Sequence, residues 1–188
     1  MKESPIKETE IKIKNPNKFD LELSFEVALK KIRKWKKCSI IANFLGEYQA
    51  ESCESNKSKT ASIISTIANE LIENAIKFTD NNHRNIKISI KERAKTIFIE
   101  TENITSIDHI NNLNSTIENI NTQKNKDKLI IDKILENNSD EKSNSEIGIL
   151  SLVSHFGCSI FTHVKDEDLG KDIKKLTTTV SISNLVPT

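Results

Sequence analysis

Apolar residues at Ile64, Ala68, Leu71, Ala75 and Phe78 recur at the spacing of a helix turn, which predicts one buried helix stripe. That helix is expected to begin near Thr60 or Ser62 and to end about Thr79, because Asp80-Asn81-Asn82-His83 is turn chemistry. The period then changes to two. Ile86-Lys87-Ile88-Ser89-Ile90 and Thr96-Ile97-Phe98-Ile99-Glu100 alternate, and they predict an antiparallel hairpin joined through Lys91 to Lys95. Upstream, the alternation from Leu21 to Phe25 predicts a first strand. A helical pattern through Ala28, Ile32 and Trp35 follows, then a separate helix over Ile40 to Tyr48 and a polar linker from Cys53 to Lys59.

Downstream, the Asn- and Lys-rich stretch 104–145 carries scattered Ile and Leu that permit helices over about 107–120 and 126–137. Ile147 to Phe156 reads as a short apolar helix stopped by a left-handed Gly157. Ser159 to Val164 and the β-branched run from Leu176 to Ser183 read as two more strands. Residues 1–18 hold no sustained pattern and read as a loose arm, leaving one domain over 19–188. This order of elements predicts an α/β fold, a two-layer sandwich whose mixed, mainly antiparallel sheet carries helices on one face.

Composition narrows the function classes. With 36% hydrophobic and 29% charged residues in 188, the chain can bury a real core and falls short of the profile of disorder. A net charge of +1 gives no global electrostatic case for nucleic acid. The basic cluster Lys30, Lys31, Arg33, Lys34, Lys36 and Lys37 reads as a solvated face whose stems cover an apolar stripe. No apolar run approaches the roughly 18 residues of a membrane span, and Met1-Lys2-Glu3-Ser4-Pro5 does not open a signal peptide, so a cytoplasmic location is expected. Cys38, Cys53 and Cys158 match neither a disulfide framework nor a zinc pattern and read as reduced thiols, while His155, Cys158 and His163 lack zinc spacing.

The chemistry-bearing residues lie on the central helix. At about 100° per residue, Glu70, Asn74 and Lys77 fall along one flank of the stripe, at the border of core and solvent. Asn74 offers a neutral oxygen of the kind Mg²⁺ accepts, and Glu70 can take a proton from an attacking hydroxyl. Taken alone, the same three residues also make an ordinary polar edge.

The segment Glu70-Leu71-Ile72-Glu73-Asn74-Ala75-Ile76-Lys77-Phe78-Thr79 resembles the N box of the GHKL ATPase superfamily, which embraces histidine kinases, gyrase-type ATPases and anti-sigma-factor serine kinases. Trp35, Cys38, Ala42, Asn43, Phe44 and Tyr48, with Gly148-Ile149-Leu150 and Phe156-Gly157, extend the likeness to small stand-alone regulators of the SiaB type, over roughly residues 19–186. The resemblance implies ATP and Mg²⁺ as cofactors, Glu70 as general base, Asn74 as Mg²⁺ ligand and Lys77 as phosphate contact. It further implies a STAS-like protein partner, with a homodimer possible, and serine kinase activity in a partner-switching pathway, or else an adaptor without nucleotide turnover. Two boxes depart from the family. Where Asp-x-Gly-x-Gly is expected the chain reads Glu100-Thr101-Glu102-Asn103-Ile104-Thr105-Ser106, leaving Asn103 or Glu102 to accept the adenine hydrogen bond. The lid box keeps only Gly148, where a helix start would offer its amides to phosphate.

Overall fold

A computed structural model describes residues 19–32, 35–53, 56–122, 141–166 and 172–183. The elements run β1 (Leu21–Ala28), α1 (Leu29–Ile32), α2 (Trp35–Ala50), α3 (Lys57–Phe78), β2 (Asn85–Arg93), β3 (Thr96–Ser106), α4 (Ile107–Thr122), α5 (Glu141–Phe156), β4 (Ser159–Lys165) and β5 (Ile173–Ser183). The N-terminal arm and the helix expected over 126–137 lie outside the described residues.

The strands form one sheet in the order β1-β2-β3-β5-β4, antiparallel at every pairing. Alternation decides which face is covered. Ile97, Ile99, Thr101, Asn103 and Thr105 of β3 and Leu176, Thr178, Val180 and Ile182 of β5 are buried on one face. On the opposite face Lys87 stands across from Glu102, Glu100 from Thr179, and Lys91 bonds Glu100 at 2.6 Å. A polar outer face and an apolar inner one are what a sheet with helices on one side requires. The predicted two-layer α/β sandwich is the observed architecture.

Helix α3 is the centre of the helical layer. Its buried residues Ile64, Ala68, Leu71 and Ala75 follow the expected stripe, and Ile67 and Ile72 widen it. The widening has a cause: α3 packs against β2 and β3 on one side and against α2 along another. Full burial of each such Ile or Leu contributes about 1.5–3 kcal/mol. Gly46 of α2 sets the closeness of the two helices, since a Cβ there would lie 2.4 Å from the Ala61 carbonyl oxygen. Asn43 accepts a hydrogen bond from Ser65 across the same seam.

Several element boundaries differ from the sequence reading. The helix expected from Ile40 begins at Trp35, and α3, expected to begin near Thr60 or Ser62, begins at Lys57. The hairpin loop is tighter than expected: β2 runs to Arg93, leaving Ala94 and Lys95 with φ of 48° and 63°. Two left-handed residues match the sheet's twist but strain any side chain with a Cβ. Replacing Ala94-Lys95 with Asn-Gly is expected to raise unfolding stability by about 1–2 kcal/mol, read as a higher urea midpoint with unchanged slope. Gly157 ends α5 at φ 64°, as its position after the apolar run implied. All three cysteines are buried, and none is in a disulfide.

Candidate functional site

Strand β3 changes character halfway along its buried face. Ile97 and Ile99 are aliphatic, whereas Thr101, Asn103 and Thr105 are polar, and β5 does the same as Val180 gives way to Thr178. The register places Thr101 opposite Thr178 and Asn103 opposite Leu176, so the change occurs at one end of the sheet in both strands. Above this polar floor stands a cavity of about 270 Å³. Leu71, Asn74, Ala75 and Phe78 of α3 line one side of it. Asp108, His109, Asn112, Leu113 and Thr116 of α4 line another, and Ile149 of α5 contributes as well. The volume sits near the low end of small-molecule pockets, roughly 300–1,000 Å³.

Local bonds hold the walls in place. Thr105 Oγ1 donates to the Phe78 carbonyl at 2.6 Å and the Asp80 amide to the Ile104 carbonyl at 2.8 Å, tying the end of α3 to the end of β3. The His109 ring stacks on Phe78 with centroids 3.8 Å apart and planes 13° from parallel, which joins α4 to α3 at the rim.

Asn103 is 5% exposed, and its amide nitrogen is buried without a hydrogen-bond partner among the described residues. Leaving a buried donor unsatisfied costs about 1–3 kcal/mol. A polar group that a fold keeps at this cost, facing a cavity, is a ready contact for a ligand acceptor. A carboxamide also presents donor and acceptor side by side, the pattern that an adenine edge complements.

The residues singled out from sequence fall in three places. Asn74 and Asn103 line the cavity from opposite sides, helix and sheet. Glu70 and Gly148 meet each other: a Cβ on Gly148 would lie 2.1 Å from Glu70 Oε2, so the carboxylate rests on the bare backbone of α5. Neither of them is among the lining residues. Lys77 is exposed, with Nζ 5.3 Å from the centroid of Phe78 at the rim. The expectation of a helix start near Gly148 is corrected, because α5 starts at Glu141 and Gly148 lies well inside it. Its amide falls where helical bonding consumes N–H groups, beyond the four free ones of a helix start. The polar run Glu141 to Ser145 carries no apolar period, and so the helix was read as starting at Ile147. The stretch Glu100 to Ser106, which stands where the resembled family has Asp-x-Gly-x-Gly, is strand throughout, so β3 runs on past the Glu100 end expected of it.

Sequence reasoning missed Thr101, Thr178 and the α4 wall. A signal was present for the wall: Asp108, Asn112 and Thr116 recur at four-residue spacing, as Glu70 and Asn74 do on α3.

Burial raises the pKa of Glu70. Glu73, behind it on α3, is raised to about 7 by burial and by the charge of Glu70, against a hydrogen bond from Asn69 that pulls it down. From its ordinary value of 4.5 to about 7, the folded chain holds a proton on Glu73 that the unfolded chain has released. Stability is therefore expected to fall as pH rises through that window. In Glu73→Gln this part of the slope should be missing, which thermal melts between pH 4.5 and 8 would read.

No protein-family model and no curated protein matches the sequence. The fold, however, has a solved counterpart. A chain in the crystal structure of the SiaB–SiaC complex from Pseudomonas aeruginosa superposes with a TM-score of 0.60 at 13% identity, over 85% of this chain and 89% of that one. The two chains share an architecture.

Proposed function

We propose that the chain is a signalling regulator that holds an adenine nucleotide with Mg²⁺ in the cavity between α3, α4 and the sheet, and that acts on a STAS-like protein partner by phosphorylating a serine. The observation that carries this reading is the buried carboxamide of Asn103, its amide nitrogen unsatisfied, in a cavity that Asn74 lines from the other side. The likeness to a chain crystallised as one half of a two-protein complex supports partner docking.

The residues present fit the nucleotide in part. Asn103 and Thr178 offer polar groups for the base, while Phe78 and Leu176 give it apolar walls. Among the described residues no three His, Cys, Asp or Glu side chains converge on one point. A Mg²⁺ held by Asn74 would thus take most of its ligands from phosphate and water, as this ion commonly does. When bound, the metal–nucleotide supplies the transferable phosphoryl group. Glu70 is assigned the proton of the partner hydroxyl. Its raised pKa suits a general base, and its orientation depends on the seat that Gly148 provides. Lys77 at the rim is assigned to phosphate.

One observation favours a second reading. Glu70 rests on α5 and does not line the cavity, and the chain has only four glycines from which to build phosphate loops. This supports an adaptor that docks a partner without nucleotide turnover. Titration calorimetry with Mg-ATP, followed by a phosphate-transfer assay on the partner, separates the two. Binding with transfer that Glu70→Gln abolishes supports the kinase, and binding without transfer supports the adaptor. No heat at millimolar Mg-ATP would refute the nucleotide reading altogether.

A further inference from the structure

Large apolar side chains on helix α2 face outward. Ile40, Phe44 and Tyr48 are 57%, 51% and 40% exposed, at four-residue spacing, and the Phe44 and Tyr48 rings stand 6.0 Å apart. The opposite face of the same helix is spent on the core through Cys38, Ala42, Leu45 and Ala50. A row of residues at spacing four is the ridge that packs against another helix, and clustered exposed apolar side chains mark an interaction surface.

The charges around this row identify its occupant. Lys37 precedes Phe44 by one heptad on α2, and residues a heptad apart lie on nearly the same helix face. Glu51 follows by one heptad in the turn just past Ala50, where its amide still donates to the Glu47 carbonyl at 3.3 Å. Both are exposed. The face thus reads positive, apolar, negative along its length, and it is its own complement when reversed.

We propose that two copies of the chain pair through α2 in antiparallel fashion about a twofold axis at Phe44. In that pairing Phe44 meets Phe44 of the second copy, Ile40 meets Tyr48, and Lys37 meets Glu51 at both ends. A parallel pairing sets lysine on lysine and glutamate on glutamate, and also aligns the helix dipoles unfavourably. A twofold interface is self-complementary by construction, and this pattern satisfies that condition. Glu51 already accepts a bond from Lys57 of its own chain at 2.6 Å, so the intermolecular pair shares its carboxylate. The inference goes beyond the nucleotide reading and does not depend on it.

Sedimentation equilibrium on the full chain tests it. The wild type is expected to show a concentration-dependent dimer. Phe44→Asp is expected to be monomeric over the same range, with unchanged circular dichroism because the side chain is outside the core. Lys37→Glu and Glu51→Lys should each raise the dimer dissociation constant about two- to fivefold, and the double variant should recover most of the loss. A wild type that stays monomeric, with or without another protein covering the stripe, overturns the proposal. So does a dimer that survives Phe44→Asp. Failure of the double variant to recover overturns the antiparallel pairing.

Discussion

Asn103→Leu is expected to stabilise the fold by about 1–2 kcal/mol and, in the same protein, to abolish Mg-ATP binding. The two effects share one cause. The Asn103 amide nitrogen is buried and unsatisfied among the described residues, so an apolar side chain of similar size removes a desolvation cost that none of them offsets. The same substitution removes the donor and acceptor that would meet the base. Opposite signs for stability and binding are the mark of a residue retained for a ligand. Urea melts and calorimetry on one preparation would read both. A variant less stable than the wild type would mean that Asn103 supports the fold itself, and undiminished Mg-ATP binding would remove it from the site.

Gly46→Val is expected to destabilise the chain by about 3 kcal/mol or more, at the upper end of overpacking costs. Its Cβ would lie 2.4 Å from the Ala61 carbonyl oxygen and 3.1 Å from Ser65 Cβ. The first of these is backbone and cannot rotate away, so α2 and α3 must separate. Separation disturbs the common core in which Leu45, Ile64, Ile67 and Leu71 are buried. The position differs from Gly148, where the nearest atom belongs to the end of the Glu70 side chain, which can swing aside. A urea midpoint within experimental error of the wild type would show that the helices have room to yield.

Much of the architecture was legible from local periodicity. The α3 stripe, the β2–β3 hairpin, α4, the glycine stop at Gly157 and the two final strands all rest on apolar residues recurring at helix or strand spacing. Where the structure departed, the apolar signal was thin or divided. α5 begins in a polar run, and the break placed before Ile40 cut α2 short. The site was legible on α3 and at Asn103 of β3. The rest of the floor was hidden because Thr101 and Thr178 are buried polar residues on strands, and a pattern that equates polar with exposed gives them no part in a core. Asp108 and Asn112 were hidden differently, since they acquire meaning only once β3 turns directly into α4 and brings that helix over the sheet.

The place of β5 in the sheet governs the order in which this molecule can assemble. It inserts between β3 and β4, joins hydroxyls 87 positions apart at Thr96 and Ser183, and lines the cavity through Leu176 and Thr178. Strand β4, whose only described neighbour is β5, has nothing to pair with until then. A nascent chain emerging from the ribosome can build the β2–β3 hairpin and the α2–α3 pair from near neighbours, and can add β1 to β2, before β5 exists. The keystone strand arrives after them, and its distant contacts are of the kind that slow folding. The cavity is therefore among the last features the chain completes.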